Sequence, residues 1–350
     1  MMNAFVTNIL VNSVSKTAYG VIVEVNGHKT VFYAHKEVIV SAGSVNTPQL
    51  LMLSGIGPCK HLRSKNITCK ISSPMVGQNL QEHYRIPATT IYGKIPKLQT
   101  EEEKKFDVIR YLYNRDGHLA FISSTDISTL YSVTINASYP EFQTFLVIYD
   151  KNSPDLQKAF SRPNTKQSVI DSIIENNINY SLFHFDLIYL HPFSRGNISL
   201  NSKDPKEPPL IYAKYFDDPR DSKLVVEGLK LLAEVVNSTF FKSIGGHLGR
   251  VKFPPCDRFL LGSDKYWECI AVNMVTTVYH PIGTSKMGPD PKTSVVDSRL
   301  RVHGCNKLRV IDASIMPTQI SGNTNAATIM VAERGSDLIK EDYNKKKCKC

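Results

Sequence analysis

Two short stretches of this chain carry side chains able to take up a proton or steady a developing charge. The first is Val278-Tyr-His-Pro-Ile-Gly-Thr-Ser-Lys-Met-Gly288. Pro281 biases the backbone of His280 towards an extended conformation and removes the next amide N–H. Gly283 and Gly288 allow a close backbone approach, and a histidine titrates near neutrality, so His280 is a candidate general base. A histidine satisfied within the fold would sit in the same stretch equally well. The second stretch is Ser321-Gly-Asn-Thr-Asn325, just ahead of a helical pattern. Unpaired N–H groups and the positive end of a helix dipole attract an anionic ligand there, although polar residues at such a place also serve as plain caps. Other chemistries lack support. There is no G-x-S-x-G nucleophile elbow, no cysteine–histidine cluster with zinc spacing, and no phosphate-cradling G-x-G-x-x-G. No metal ligands are assigned.

The elements that must position these stretches are legible from patterning. Phe5–Val11, Gly20–Val25, Thr30–Ala34 and Glu37–Val40 read as strands, with a hairpin turn at Asn26-Gly27. After Ala42-Gly43 the pattern turns helical. Thr47 is the expected N-cap, Pro48 the expected first helical residue, and Leu50, Leu51 and Leu53 the apolar face, with Gly55 and Gly57 ending the helix. Lys307–Asp312 reads as a short buried strand, Thr318–Asn325 as a loop, and Ala326–Ile339 as a helix. Between these ends lies a region of different character. Tyr180–Leu190 is rich in aromatic and β-branched residues, Ser222–Val236 has apolar residues at helical spacing, and Thr100–Asp116 is charged like a surface helix.

Composition narrows the class. The 350 residues are 42% hydrophobic, enough for a sizeable core, and no run approaches the ~18 apolar residues of a membrane span. The 42 basic and 32 acidic residues are dispersed, the densest cluster being the tail Lys345–Cys350, so nucleic acid is not an expected partner. Seven cysteines form no C-x-x-C pair; Cys256 and Cys269 could close a short loop or remain free thiols. Sequons at Asn66, Asn136, Asn179, Asn197 and Asn237 mildly favour a secretory setting. The first residues show no signal peptide and read as a strand entered abruptly, as if an N-terminal portion were missing.

Several long motifs, taken in order, resemble one family. Ser41-Ala-Gly-Ser-Val-Asn-Thr-Pro-Gln-Leu-Leu-Met-Leu-Ser-Gly-Ile-Gly57 is similar to the second signature of the glucose–methanol–choline (GMC) oxidoreductases. Val76–His83, His191–Leu200, Tyr279–Thr284, Val296–Gly304, Leu308–Pro317 and Ser321–Met330 resemble later segments of that family, in the wording of its insect glucose-dehydrogenase-like branch. The resemblance implies an α/β fold with α+β elements: a partial, discontinuous FAD-binding Rossmann-like domain with an inserted substrate-binding domain on an antiparallel sheet with helices. Residues 1–88 would be the remnant of the FAD-binding domain, 89–275 the substrate-binding domain, and 276–350 the return to the FAD-binding domain. The family's C-terminal region would cover about 190–335.

The resemblance also implies roles. His280 matches the catalytic histidine, which takes the substrate hydroxyl proton while hydride passes to flavin N5. Asn323 matches the second catalytic position, where its amide would hydrogen-bond the developing alkoxide. Val6, Ala42, Gly43, Asp312, Ala313, Asn323, Thr324 and Asn325 fall at positions that contact FAD. Ser285 stands where insect relatives usually show cysteine. The expected activity is FAD-dependent oxidation of a CH–OH group of an alcohol or sugar, with quinone or oxygen as electron acceptor. The full-length relative is expected to be extracellular. The glycine-rich pyrophosphate turn and the acidic ribose residue are absent from the sequence. The alternative is therefore a catalytically inactive remnant acting as a binding protein.

Overall fold

The first part of the chain forms a three-stranded antiparallel sheet, β1 (Ala4–Asn12), β2 (Thr17–Val25) and β3 (His28–Tyr33), with β3 exposed throughout. On β1 the alternate residues Thr7, Ile9 and Val11 are buried, the period of two that a half-buried strand requires. Val25 pairs with His28, so Asn26 and Gly27 alone make the turn. Both have positive φ, +49° and +80°, as the tight turn matching strand twist demands. The computed structural model describes residues 1–95, 101–120, 127–161 and 165–347, and the chain divides into two compact units.

The first unit comprises 1–83, 191–217 and 278–350. Its organising feature is a parallel pair, β4 (Val38–Val40) with β5 (Leu308–Val310), in the register Val38 to Leu308 and Val40 to Val310. β4 is followed at once by α1 (Gly43–Leu53), and β5 leads through a short 3-10 turn at Ala313–Ile315 and a loop to α2 (Thr324–Lys347). Because the strands are parallel, their carboxyl ends lie together, which is where open α/β folds bind ligands. Val38, Val40, Leu51, Met52, Leu308, Val310, Val331 and Leu338 share one buried cluster. Arg309 fastens α2 to this pair: its guanidinium is 3% exposed and lies 3.0 Å from Glu37 and 2.7 Å from Asp342. Burial alone pulls its pKa down, but the Asp342 and Glu37 carboxylates outweigh it and the net direction is up.

The start of α1 corrects the sequence reading. The helix begins at Gly43, with Pro48 inside it, and Thr47 is not its cap. The Thr47 hydroxyl instead donates to Asp312 Oδ2 at 2.6 Å and accepts from the Ala42 N–H at 3.1 Å. A tertiary partner 265 residues away has overridden the local capping signal.

The second unit comprises 84–190 and 218–277. Its sheet is antiparallel. Strands His247–Leu248, Tyr84–Gly93, Ser181–Tyr189, Phe142–Tyr149 and Ile127–Tyr131 lie side by side in that order, with Thr276–Thr277 also pairing Tyr84–Gly93. Every residue of Ser181–Tyr189 is buried, as a central strand covered on both faces must be. Helices Gln167–Asn177, Pro219–Ala233 and Asp264–Met274 belong to this unit. The sequence reading drew a single insert over 89–275, whereas 191–217 lies in the first unit. There Leu80 exchanges backbone bonds with Gly196, and Asn197–Ser199 pairs with Leu210–Tyr212. The charged segment read as a surface helix is Glu101–Asn114; Thr100 lies outside the described residues, as do Cys348 and Cys350 of the basic tail. Cys256 and Cys269 form a disulfide, and so do Cys59 and Cys69, which spacing had not singled out.

Candidate active site

His280 enters its place through a strained turn and a proline. Tyr279 has φ +63° and is 82% exposed, and Pro281 follows. The main chain around the histidine is then held from two sides. Its N–H donates to Glu82 Oε1 at 2.8 Å, and its carbonyl accepts from Gln319 Nε2 at 3.0 Å. Ile282 and Gln81 exchange both backbone bonds, at 2.9 and 3.1 Å. The Gln81 side chain continues the brace, donating to Pro317 O and accepting from the Gln319 N–H. Segments 79–83, 280–283 and 317–320 are thus tied into one frame around the imidazole.

The ring of His280 meets a second histidine. His280 Nδ1 and His83 Nδ1 are 2.9 Å apart, and His83 Nε2 lies 2.9 Å from the Ile320 carbonyl. The rings are nearly perpendicular with centroids 5.1 Å apart. That is close to the largest separation two imidazoles can have at this nitrogen distance, so the two Nδ1 atoms point along one line at each other. His83 is fully buried, and burial, with smaller contributions from His280 and His191, pulls its pKa down to about 3 against the Ile320 hydrogen bond. His280 is half-buried and is also held below its ordinary value, by burial. Neighbouring His191 pairs through Nε2 with Ser321 Oγ at 2.9 Å. Gln81, Glu82, His83 and Gln319 were not assigned roles from the sequence. Nothing local in Val76–His83 marks it as the partner of a segment 197 residues on.

The remaining candidate residues cluster at the carboxyl ends of β4 and β5. Asp312 is buried, with Oδ2 accepting from the Gly43 N–H at 3.0 Å and from Thr47, and Oδ1 accepting from the Ser314 N–H at 2.8 Å. Its carboxylate is therefore engaged by the chain itself and organises both strand-to-helix turns. Ala313 beside it is half-buried. Val6, Ser41 and Ala42 line one cavity of about 710 Å³, with Val38, Ile39, Val45 and Leu50 among its apolar walls. Asn323 and Asn325 are exposed at the start of α2, and Thr324 is buried.

Family profiles described as GMC oxidoreductase match residues 1–85 and 192–332. The chain belongs to the GMC oxidoreductase family. It is 34% identical over 346 residues to ecdysone oxidase of Bombyx mori, an alignment covering 98% of this chain and 50% of that protein. Against glucose dehydrogenase [FAD, quinone] of Drosophila melanogaster the figures are 35% over 352 residues, 99% and 53%. The structure of formate oxidase from Aspergillus oryzae superposes with a TM-score of 0.78 at 26% identity, covering 98% of this chain and 60% of that one. The chain thus spans about half the length of the curated relatives it matches.

GMC oxidoreductases use FAD to oxidise alcohols and sugars. The residues present fit that cofactor. Gly43, at φ +79°, opens on free space, since a Cβ built there would meet nothing within 4 Å. The adjoining Val6–Ala42 cavity has a volume in the range of cofactor sites. Asn323 and Asn325 are exposed at the start of α2 and so accessible to a ligand.

Proposed function

We propose that this chain carries the substrate-oxidising centre of an FAD-dependent GMC oxidoreductase acting on a CH–OH group of an alcohol or sugar. The observation that carries this reading is His280, braced through its own main chain on both sides and kept neutral by burial. A neutral imidazole can accept the proton of a substrate hydroxyl as the C–H bond breaks. Asn323 cannot accept that proton, but its amide N–H can steady the oxygen on which charge develops. FAD, when bound, supplies the hydride acceptor at N5. Val6, Ala42, Gly43, Ala313, Thr324 and Asn325 would hold it, with Asp312 setting the Gly43 and Ser314 backbone and the positive end of α2 favouring added negative charge on the cofactor. Quinone or oxygen is the proposed electron acceptor. Two disulfides and the five sequons support an oxidising, extracellular setting.

The alternative reading is a non-catalytic binding protein. Purified protein that shows flavin absorbance and alcohol-dependent dye reduction supports the enzyme; a cooperatively melting protein with neither supports the alternative. In FAD-loaded protein, His280→Ala should lower turnover by ~10²–10⁴. An unchanged rate would remove His280 from the chemistry.

A further inference from the structure

We propose that His83 is a positioning residue that fixes the tautomer of His280, leaving Nε2 of His280 as its proton-accepting nitrogen. The proposal deepens the reading of His280 as a base and rests on it for its catalytic meaning.

The Ile320 carbonyl can only accept, so the 2.9 Å contact requires a proton on Nε2 of His83. His83 is fully buried, and burial disfavours its charged form. A neutral ring with a proton on Nε2 has a bare lone pair on Nδ1. The 2.9 Å contact between the two Nδ1 atoms needs one hydrogen, and only His280 can provide it. His280 therefore carries its proton on Nδ1, and its Nε2 lone pair is free. Two further facts restrict alternatives. The in-line geometry, with rings at 87° and centroids at 5.1 Å, is that of a directed hydrogen bond rather than ring stacking. The His280 backbone is fixed by Glu82 and Gln319, so its imidazole swings only about its side-chain bonds.

The consequence is chemical. A histidine side chain in water favours the proton on Nε2, the arrangement that would present an N–H to the substrate hydroxyl and block its deprotonation. His83 reverses that preference as the buried aspartate of a serine-protease triad does for its histidine, but with a neutral partner. A neutral acceptor brings no negative charge beside the ring, so His83 orients His280 with far less effect on its basicity than an aspartate would have.

The test is the histidine ¹⁵N spectrum of the chain at pH 7.5, with His280 assigned by its loss in His280→Gln. The expected result is Nδ1–H on His280 and Nε2–H on His83. Two isosteric variants then separate positioning from packing. His83→Asn keeps an acceptor beside His280 Nδ1, whereas His83→Leu removes it. His280 should shift towards the Nε2–H form in His83→Leu and stay Nδ1–H in His83→Asn. A wild-type His280 already in the Nε2–H form, or one unmoved by His83→Leu, overturns the proposal. Should His83→Leu fail to fold, the wild-type spectrum still decides. In FAD-loaded protein, His83→Leu should lower kcat with little change in KM, and His83→Asn should restore it. The spectrum tests the histidine pair without turnover and His280→Ala tests the base, so either can fail without the other.

Discussion

The hydroxyl of Thr284 donates to the main-chain carbonyl of Ser44 at 2.6 Å. Pro48 lies inside α1 and has no N–H to give the carbonyl four residues before it, which is that of Ser44. Thr284, four residues beyond His280, supplies the missing donor from another segment and so links the helix after β4 to the histidine frame. Thr284→Val keeps the shape and leaves a buried carbonyl unpaired, which should cost about 1–3 kcal/mol in urea unfolding. Thr284→Ser should be close to wild type. In a Pro48→Ala background the helix regains its own donor, so Thr284→Val should cost less there, a coupling that a double-mutant cycle reads directly. Equal costs in both backgrounds would refute the link.

Gly283 makes the same frame fit. It adopts φ +87°, and a Cβ on it would come within 2.6 Å of the Asn79 carbonyl oxygen. Gly283→Ala should therefore destabilise by more than ~1 kcal/mol, where an exchange at a compatible glycine would stabilise by about 0.4–1 kcal/mol, and should displace the His280 main chain. Gly322 is the control, since its Cβ would meet nothing within 4 Å and its φ is not positive. Melting temperatures of the two variants should diverge, with Gly322→Ala near wild type.

The Cys256–Cys269 bond closes a loop with a sequence separation of 13. Closing a loop of that length removes disorder from the unfolded chain, worth about 3 kcal/mol. The double variant Cys256→Ser, Cys269→Ser should lose stability of that order in denaturant melts, with addition of reductant giving it no further loss at this site. If wild type and variant melt alike under oxidising conditions, the bond contributes nothing.

Much of this fold was legible because its signals are local. The alternation of Phe5–Val11, the Asn26-Gly27 turn and the apolar run ending at Asp312 each state their geometry within a few residues. What escaped depends on distant partners. Thr47-Pro48 has the local chemistry of a helix start, yet Asp312 claims Thr47 and the helix begins earlier. His83 sits in a motif with no local marker of its role, which arises only from Nδ1 of His280 and the carbonyl of Ile320. The 191–217 segment belongs to the first unit through backbone pairing such as that of Gly196 with Leu80, a partner more than a hundred residues away that no local pattern names. The Cys59–Cys69 bond joins one of the 21 pairs that seven cysteines allow, and its spacing alone does not single it out.

The buried histidine pair also sets how the fold responds to acid. The folded-state pKa of His83 lies at about 3, below the ordinary value of 6.5. The unfolded chain therefore binds the proton first as pH falls, and stability that is present above 6.5 is lost progressively down to about 3. Between pH 6.5 and 5 the loss from His83 alone should approach about 2 kcal/mol, at 1.36 kcal/mol per pH unit. His280 is shifted in the same direction by burial and adds to the slope. Urea unfolding at pH 7.5 and 5 measures it in a range where most carboxylates have not yet protonated. His83→Asn, which cannot titrate, should be less stable at pH 7.5 through loss of the Ile320 bond and should show a shallower fall to pH 5. The same fall in wild type and His83→Asn would mean that the pair does not carry the acid sensitivity.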